Sequence, residues 1–495
     1  MMYGEEKSDS LIVAANLANN PQGAESVERR SGAKGNAEQP HMRRTQSRES
    51  MSQRLSRVRE AAKQRKKERF TALFHLLTAE ALENAFLSLS RKAAAGVDGV
   101  RWKDYAENLK VNIADLHRRL HQGSYRAQPG RRHYIPKADG KQRPLGIASL
   151  EDKIVQYALV KILNAVYEND FMGFSYGFRP GRSQHNALDA LATGLVRTNV
   201  NWVLDADISQ FFDKVSHEWL IRFIEHRIGD QRVIRLIRKW LTAGTSEEGE
   251  WRASEEGTPQ GAVISPLLAN IYLHYVFDLW AHQWRRRYAT GNVVMVRYAD
   301  DIVIGFDKRI DAQCFRIAMQ RRLKEFGLTV HPKKTRLMEF GRFAAENRAS
   351  RGKGKPETFN FLGFTHISGK DRSGRFMLIR KTRRDRMTAT LKAIKDGLRK
   401  RWHYSIPEQG KWLRRVVQGY LNYHSVPGNY PMMRKFRIYV TDLWRRALRR
   451  RSQQDDTTWT KANRLAAVWL PKVRVLHPWP VERFTARHPR QEPGA

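Results

Sequence analysis

The chain has 495 residues, 41% of them hydrophobic, and carries 90 Lys and Arg against 50 Asp and Glu, a formal net charge of +40. That length and apolar content suffice for two to four domains with sizeable cores. A charge excess this large points to a polyanionic partner, nucleic acid ahead of anionic lipid. No apolar run approaches the ~20 residues of a membrane-spanning helix, and the first residues carry acids where a signal peptide would be basic and then apolar. The single cysteine, Cys314, excludes intrachain disulfides and Cys-rich zinc sites. An intracellular protein with no membrane partner is therefore expected.

Residues 1–50, rich in Gly, Ser, Asn, Gln and Arg with little apolar periodicity, read as a disordered tail. Residues 51–90 read as a helical extension, basic in front and amphipathic behind; the basic half is either a solvated face or an RNA contact. From 91 to 365 strands and helices mix. Ser149 is the expected N-cap of a helix whose apolar face comprises Ile154, Val155, Ala158, Leu159, Ile162, Leu163 and Val166. The run WVLDADI at 202–208 reads as a strand with Asp205 and Asp207 on one face and Leu204, Ala206 and Ile208 on the other. Ser216 should cap the next helix, with Val215 stapled to Leu220. Cys314, in the helix-like run AQCFRIAMQRRL, is expected to be a buried structural thiol. Residues 342–357 read as a flexible basic loop. Beyond about 375 the chain turns helical and very basic, and 451–495 forms a basic, Trp-rich tail.

The stretch VVMVRYADDIVIGF at 293–306 sets two acids between apolar arms. Val293–Val296 and Ile302–Phe306 read as strands joined by a tight turn. The hairpin then projects both acids from its tip, with Asp300 expected opposite Asp207. Aspartates also serve as plain turn formers, but a second acidic strand end at Asp207 argues for more. Two strands offering carboxylates to one point can hold two divalent ions about 4 Å apart, and carboxylate and water ligands suit magnesium.

The ordered blocks WVLDADISQFFDKVSH, EGTPQGAVISPLLANIYL, VRYADDIVIGF, GLTVHPKKTRL and FNFLGF resemble a reverse transcriptase palm. More narrowly, VDGV (97–100), IPKADGKQRPLGI (135–147) and FSYGFRPGRSQHNAL (174–188) are similar to the fingers of bacterial group II intron-encoded proteins. VVQGYLNYHSVPGN (416–429) resembles their maturase domain X. The resemblance implies an α+β right-hand polymerase, with fingers and palm over 91–365, followed by an α-helical thumb/maturase domain over 366–450. The 451–495 tail then either contacts DNA or caps the maturase helices.

By position in those blocks, Asp207, Asp300 and Asp301 would be the catalytic acids and the ligands of two Mg2+ ions. Lys334, or its neighbour Lys333, would be the general acid. Phe212 would be a steric gate against ribose, and Gln260, Arg143 and Lys137 would contact the incoming nucleotide. FLGF (361–364) would grip the primer. The implied partners are group II intron RNA, an RNA template with DNA primer, dNTPs and target DNA, with a homodimer left open. The implied location is the bacterial cytoplasm, in association with the nucleoid or RNA. The implied function is RNA-directed DNA synthesis, together with help in splicing and mobility of the parent intron. Two alternatives are a splicing-only RNA-binding maturase with a vestigial polymerase site and a reverse transcriptase of retron or diversity-generating type. The cysteines of a zinc-supported endonuclease are missing, so second-strand cleavage is not expected.

Overall fold

The computed structural model describes residues 50–136, 142–247, 249–259, 261–451 and 457–487. The expected disordered tail, Lys137 and Gln260 lie outside the described residues, as does the side chain of Arg143. Helix α1 (Met51–Gln64) starts at a capping box in which Ser50 and Gln53 satisfy each other's amides. Its end is held by Arg227, 3% exposed, which donates to the carbonyl of Ala62 in the last turn and to those of Arg65 and Glu68 just beyond it, and pairs with Asp170 at 2.8 Å. The helical extension is thus fastened to the body of the protein.

Strands β1 (Gly130–Pro136) and β2 (Gln142–Ile147) form an antiparallel hairpin. Helix α2 (Leu150–Tyr167) follows, capped by Ser149 and buried along the expected face. Helix α3 (Gln184–Arg197) leads into β3 (Trp202–Asp207). The expected helix after Ser216 spans His217–Glu225, with the Ser216 hydroxyl accepting from the Trp219 amide. Short strands β4 (Thr245–Glu247) and β5 (Glu250–Arg252) extend the first hairpin into a sheet of order β2-β1-β4-β5. Helix α4 (Ser265–Leu273) precedes β6 (Val293–Tyr298) and β7 (Asp301–Phe306). Helix α5 (Arg309–Glu325) and β8 (Arg336–Glu339) complete a central sheet of order β6-β7-β3-β8.

Both faces of this sheet are buried. Leu204, Ala206, Met295, Ile302 and Ile304 point into one core, with α2, α4 and α5. Val203, Val294, Val296, Val303 and Met338 point into another, with α3 and a third sheet. Double burial explains why both hairpin arms are continuous apolar runs without alternation. The third sheet is β11-β10-β9, built from β9 (Phe359–Phe361), β10 (Phe364–Lys370) and β11 (Phe376–Thr382).

The C-terminal region is helical. Helices α6 (Arg384–Arg399), α7 (Ile406–His424) and α8 (Tyr430–Arg449) enclose their own core around Leu413, Val417, Met433, Phe436 and Trp444. Helix α9 (Trp459–Trp469) joins that core, and its Trp469 lies so close to Gly410 that a Cβ there would sit 2.4 Å from the indole. Helix α10 (Pro480–Arg487) returns to α3, where Phe484 enters the second core of the central sheet. Arg483 there donates to both carboxylate oxygens of the buried Asp189.

Two expectations fail. The 342–357 stretch contains a short helix, Ala344–Ala349, because Ala344 is buried and Arg351 reaches back to Glu339. Cys314 is exposed: it lies on the outer stripe of α5, while Phe315 and Met319 take the inner one. Among the described residues no helix is long and apolar enough to cross a membrane.

The docking of α10 is testable. Phe484→Ala should cost about 3 kcal/mol of packing and speed proteolysis and hydrogen exchange of residues 471–487, leaving the central sheet protected. Unchanged protection of that segment would contradict the packing described.

Candidate active site

Strands β3 and β7 run antiparallel in a register that sets Asp207 directly opposite Asp301, and Asp205 opposite Val303. Opposite residues share a face, so Asp205, Asp207 and Asp301 project from the same side of the sheet end. Asp300 is the second residue of the two-residue turn between Tyr298 and Asp301. The expectation of Asp300 opposite Asp207 is thereby corrected. The arms are longer than the apolar runs suggested, Asp301 begins β7, and Asp300 occupies the tip.

Behind β3, the segment leading into β8 supplies countercharge. The Asp207 carbonyl accepts from the His331 amide at 2.7 Å, and the Lys334 ammonium lies 2.7 Å from Asp207 Oδ2. Arg336 stands 4.0 Å from Asp205. Asp301 keeps an open side, yet surrounding protein strips much of its water. That desolvation, then the charges of Asp300, Asp207 and Asp205, push its carboxyl up to about 7. Desolvation likewise raises Asp205 to about 6, with Arg336 opposing and Asp207 adding to it. The hydrogen bond to Asp207 raises Lys334, which keeps its proton.

This donor set fits hard divalent cations. It offers only carboxylate oxygens, and burial with the neighbouring negative charges raises the Asp301 carboxyl, which added positive charge would offset. Among the described residues, no three acidic, His or Cys side chains already close around a single ion point. The acids are gathered at one sheet end, and Lys334 holds one of them.

Phe212 lies in the 3-10 turn Phe211–Asp213 just past β3. Phe211 is buried and Phe212 half-buried, their rings edge to face with centroids 5.3 Å apart. The residues that flank Gln260 in the sequence are pinned on both sides. The Thr258 amide donates to the Phe212 carbonyl at 2.7 Å, and a Cβ at Gly257 would lie 2.9 Å from that oxygen. At Gly261, φ is +108°, and a Cβ would lie 2.9 Å from the Gly146 carbonyl of β2. The structure therefore brings together the Phe212 turn, the backbone flanking Gln260 and the strand that carries Arg143. Arg143 pairs through its backbone with Ile135, near the end of the β1–β2 pairing.

The opposite wall belongs to the β9–β10 turn. Leu362 and Gly363 both have positive φ, +43° and +79°, as a two-residue type I′ hairpin turn requires. Tyr423 from α7 donates to the Leu362 carbonyl at 2.8 Å, and the Arg383 amide donates to the Gly363 carbonyl at 3.1 Å. A cleft of about 540 Å³ runs between this turn and the acidic hairpin, lined among others by Tyr298, Asp300, Asp301, Arg383, Arg386 and Tyr423. Sequence reasoning did not single out Arg383 and Arg386. They are two of ten Lys and Arg between 380 and 401, and only the fold distinguishes them.

Residues 135–366 match the family described as reverse transcriptase (RNA-dependent DNA polymerase). The chain is similar to protein YkfC of Escherichia coli (strain K12), 43% identical over 214 residues, which are 42% of this chain and 55% of that protein. It is also similar to the group II intron-encoded protein LtrA of Lactococcus lactis subsp. cremoris, 37% identical over 223 residues, 44% of this chain and 37% of that protein. A shorter likeness, 29% over 110 residues, joins it to nuclear intron maturase 2, mitochondrial, of Arabidopsis thaliana, covering 21% of this chain and 15% of that protein. The chain thus spans about half the length of YkfC and less of the others.

The raised Asp301 carboxyl has a stability signature. It binds its proton more tightly folded than unfolded, so its contribution is most favourable below about pH 4 and declines as the pH rises toward about 7. Asp301→Asn removes that decline. In chelator the variant should melt above wild type near pH 8 (about one unit past the folded value), and the gap should close near the unfolded value of about pH 4. Equal melting temperatures at the higher pH would contradict the electrostatics described.

Proposed function

From a chain whose residues 135–366 belong to the reverse transcriptase family and which is related to group II intron-encoded proteins, we propose an RNA-directed DNA polymerase that also binds its parent intron RNA to assist splicing. It would support intron mobility by target-primed reverse transcription. The observation that carries the polymerase reading is the Asp207–Asp301 register with Asp300 at the adjoining turn, where Asp300 and Asp301 line an open cleft.

Asp207, Asp300 and Asp301 would hold two magnesium ions. Bound there, magnesium would make a primer 3′-hydroxyl easier to ionise and would neutralise phosphoryl charge. The protein's own contribution is alignment. The β9–β10 turn would seat the primer end, and Arg383 and Arg386 offer guanidinium groups to strand phosphates. Phe212 would exclude a ribonucleotide by clash with its 2′-hydroxyl. Gln260, Arg143 and Lys137 would contact the incoming nucleotide, around the pinned 257–261 loop and the β1–β2 tip. Lys334 would hand its proton to the leaving pyrophosphate, and the Asp207 contact that keeps it protonated supports this role.

Helices α6–α8 would serve as thumb and maturase domain. Their own core leaves an exposed basic surface for RNA phosphates. The RNA would supply the splicing chemistry, with the protein stabilising its fold.

Extension of oligo(dT) on poly(rA) with magnesium tests the polymerase. Wild type should incorporate dTTP, and Asp300→Asn should lose more than about 100-fold, the upper range for disturbing even an outer metal partner. Equal incorporation would refute the metal-site assignment, and none by either protein would favour a splicing-only maturase. Affinity for intron RNA should fall at least about 100-fold between roughly 50 and 200 mM salt through counterion release. A flat response in a filter-binding titration would refute phosphate-dominated binding.

A further inference from the structure

Arg297, the second-last residue of β6, is fully buried directly behind the acidic turn. Its guanidinium is used on every side. Nε donates to Asp278 Oδ1 at 2.7 Å, and Nη2 donates to Asp278 Oδ2 and, at 2.7 Å, to Ser175 Oγ. Nη1 donates at 3.1 Å both to Asn270 Oδ1 and to the carbonyl of Ala299. Asp278 is itself fully buried and ends a π-turn, His274–Asp278, that follows α4; such turns concentrate at functional sites.

The last of these bonds lands on the first residue of the hairpin turn, and that residue is strained. Ala299 has φ +56°, a conformation that glycine adopts freely and alanine resists. Gly177 packs against the preceding Tyr298–Ala299 peptide so closely that a Cβ there would lie 2.3 Å from the Ala299 amide. Asn270 ties the Gly177 carbonyl down at 2.7 Å. One backbone position is therefore clamped from two sides by residues of three separate segments. Strain of this kind persists only where the surroundings over-determine it. A buried ion pair adds little net stability compared with apolar side chains of similar volume, so stability alone does not explain this one.

We propose that Arg297, with Asp278 and Asn270, is the positioning device for Asp300. By holding the Ala299 carbonyl, the buried guanidinium fixes the peptide that enters Asp300 and so sets where the Asp300 carboxylate stands relative to Asp301 and Asp207. Arg297 touches no reacting atom; it acts through the turn. Ser175 and Asn270 lie in the FSYGF and SPLLAN segments, which thereby acquire a task at the acidic site although neither carries a charge to it. The inference rests on the polymerase reading of that site.

The test uses the full chain and Mn2+ as the probe, counted by electron paramagnetic resonance, beside dTTP kinetics on poly(rA)/oligo(dT). The double variant Arg297→Met/Asp278→Leu replaces the pair by apolar groups. Expected are a melting temperature close to wild type, Mn2+ affinity at least about 10-fold weaker, and kcat reduced at least about 10-fold with KM nearly unchanged, as loss of alignment alone would give. Adding Ala299→Gly, which adopts the turn without strain, should recover part of the Mn2+ affinity. Arg297→Lys keeps the charge but lacks the fork that reaches Ala299, and it provides the same readouts if the double variant does not fold. Wild-type Mn2+ affinity and kcat in a folded variant would overturn the proposal. A wild-type protein that binds no Mn2+ and extends no primer would overturn the polymerase reading and this inference with it. Loss of melting temperature together with unaltered Mn2+ affinity in Arg297→Lys would reduce the network to packing.

Discussion

Like-charged carboxylates at the end of one sheet repel, and most of this architecture is a means of holding them there. Burial, and then the charges of the neighbouring acids, raise the proton affinity of Asp301 and Asp205, so without restraint the strand ends would splay. Restraint comes from the arms: β3, β6 and β7 are buried on both faces by two distinct cores. Positive charge within the protein offsets only part of the repulsion, through Lys334 and Arg336. The remainder leaves a site ready for cations and for the charged substrates that travel with them.

Around that centre the protein is organised as walls. The Phe212 turn, the 257–261 loop and β2 close one side through backbone contacts that tolerate no added Cβ at Gly257 or Gly261. The β9–β10 turn, fastened by Tyr423 and the Arg383 amide, closes the other. This second wall is where the central sheet region meets the helical region. Any tilt of α6 and α7 would carry Arg383, Arg386 and Tyr423 with it and change the width of the cleft between them and Asp300.

Local chemistry was legible in the sequence. Ser149 and Ser216 cap the helices expected of them, because an N-cap depends on a few neighbouring residues. The alternation at 202–208 placed Asp205 and Asp207 on one face, because strand period is a property of the chain itself. Register was not legible. Apolar runs alone could not reveal that Asp301 belongs to β7 and faces Asp207, since the hydrogen bonds that decide it come from β3, far away in sequence. The partners of Arg297 were hidden for the same reason: 122 residues separate it from Ser175. Arg383 and Arg386 were masked by abundance, since ten basic residues between 380 and 401 look alike until one helix end is placed at the cleft. Cys314 was not legible either, because a helical run alone does not say which stripe faces inward, and Phe315 and Met319 take that side.

The return of α10 onto α3 has a consequence for how the molecule is made. Asp189 and Arg483 are 294 residues apart in the chain, and Phe484 belongs to the same core as Leu188, Val203 and Val303. At about 5 to 20 residues per second of synthesis, that core waits roughly 15 to 60 seconds after α3 emerges before its last side chain exists. From the synthesis of Arg380 until that of Arg483, the buried Asp189–Arg380 pair lacks the second arginine that completes it. The central sheet must therefore survive synthesis with one flank open, and its assembly is finished from the C-terminal side.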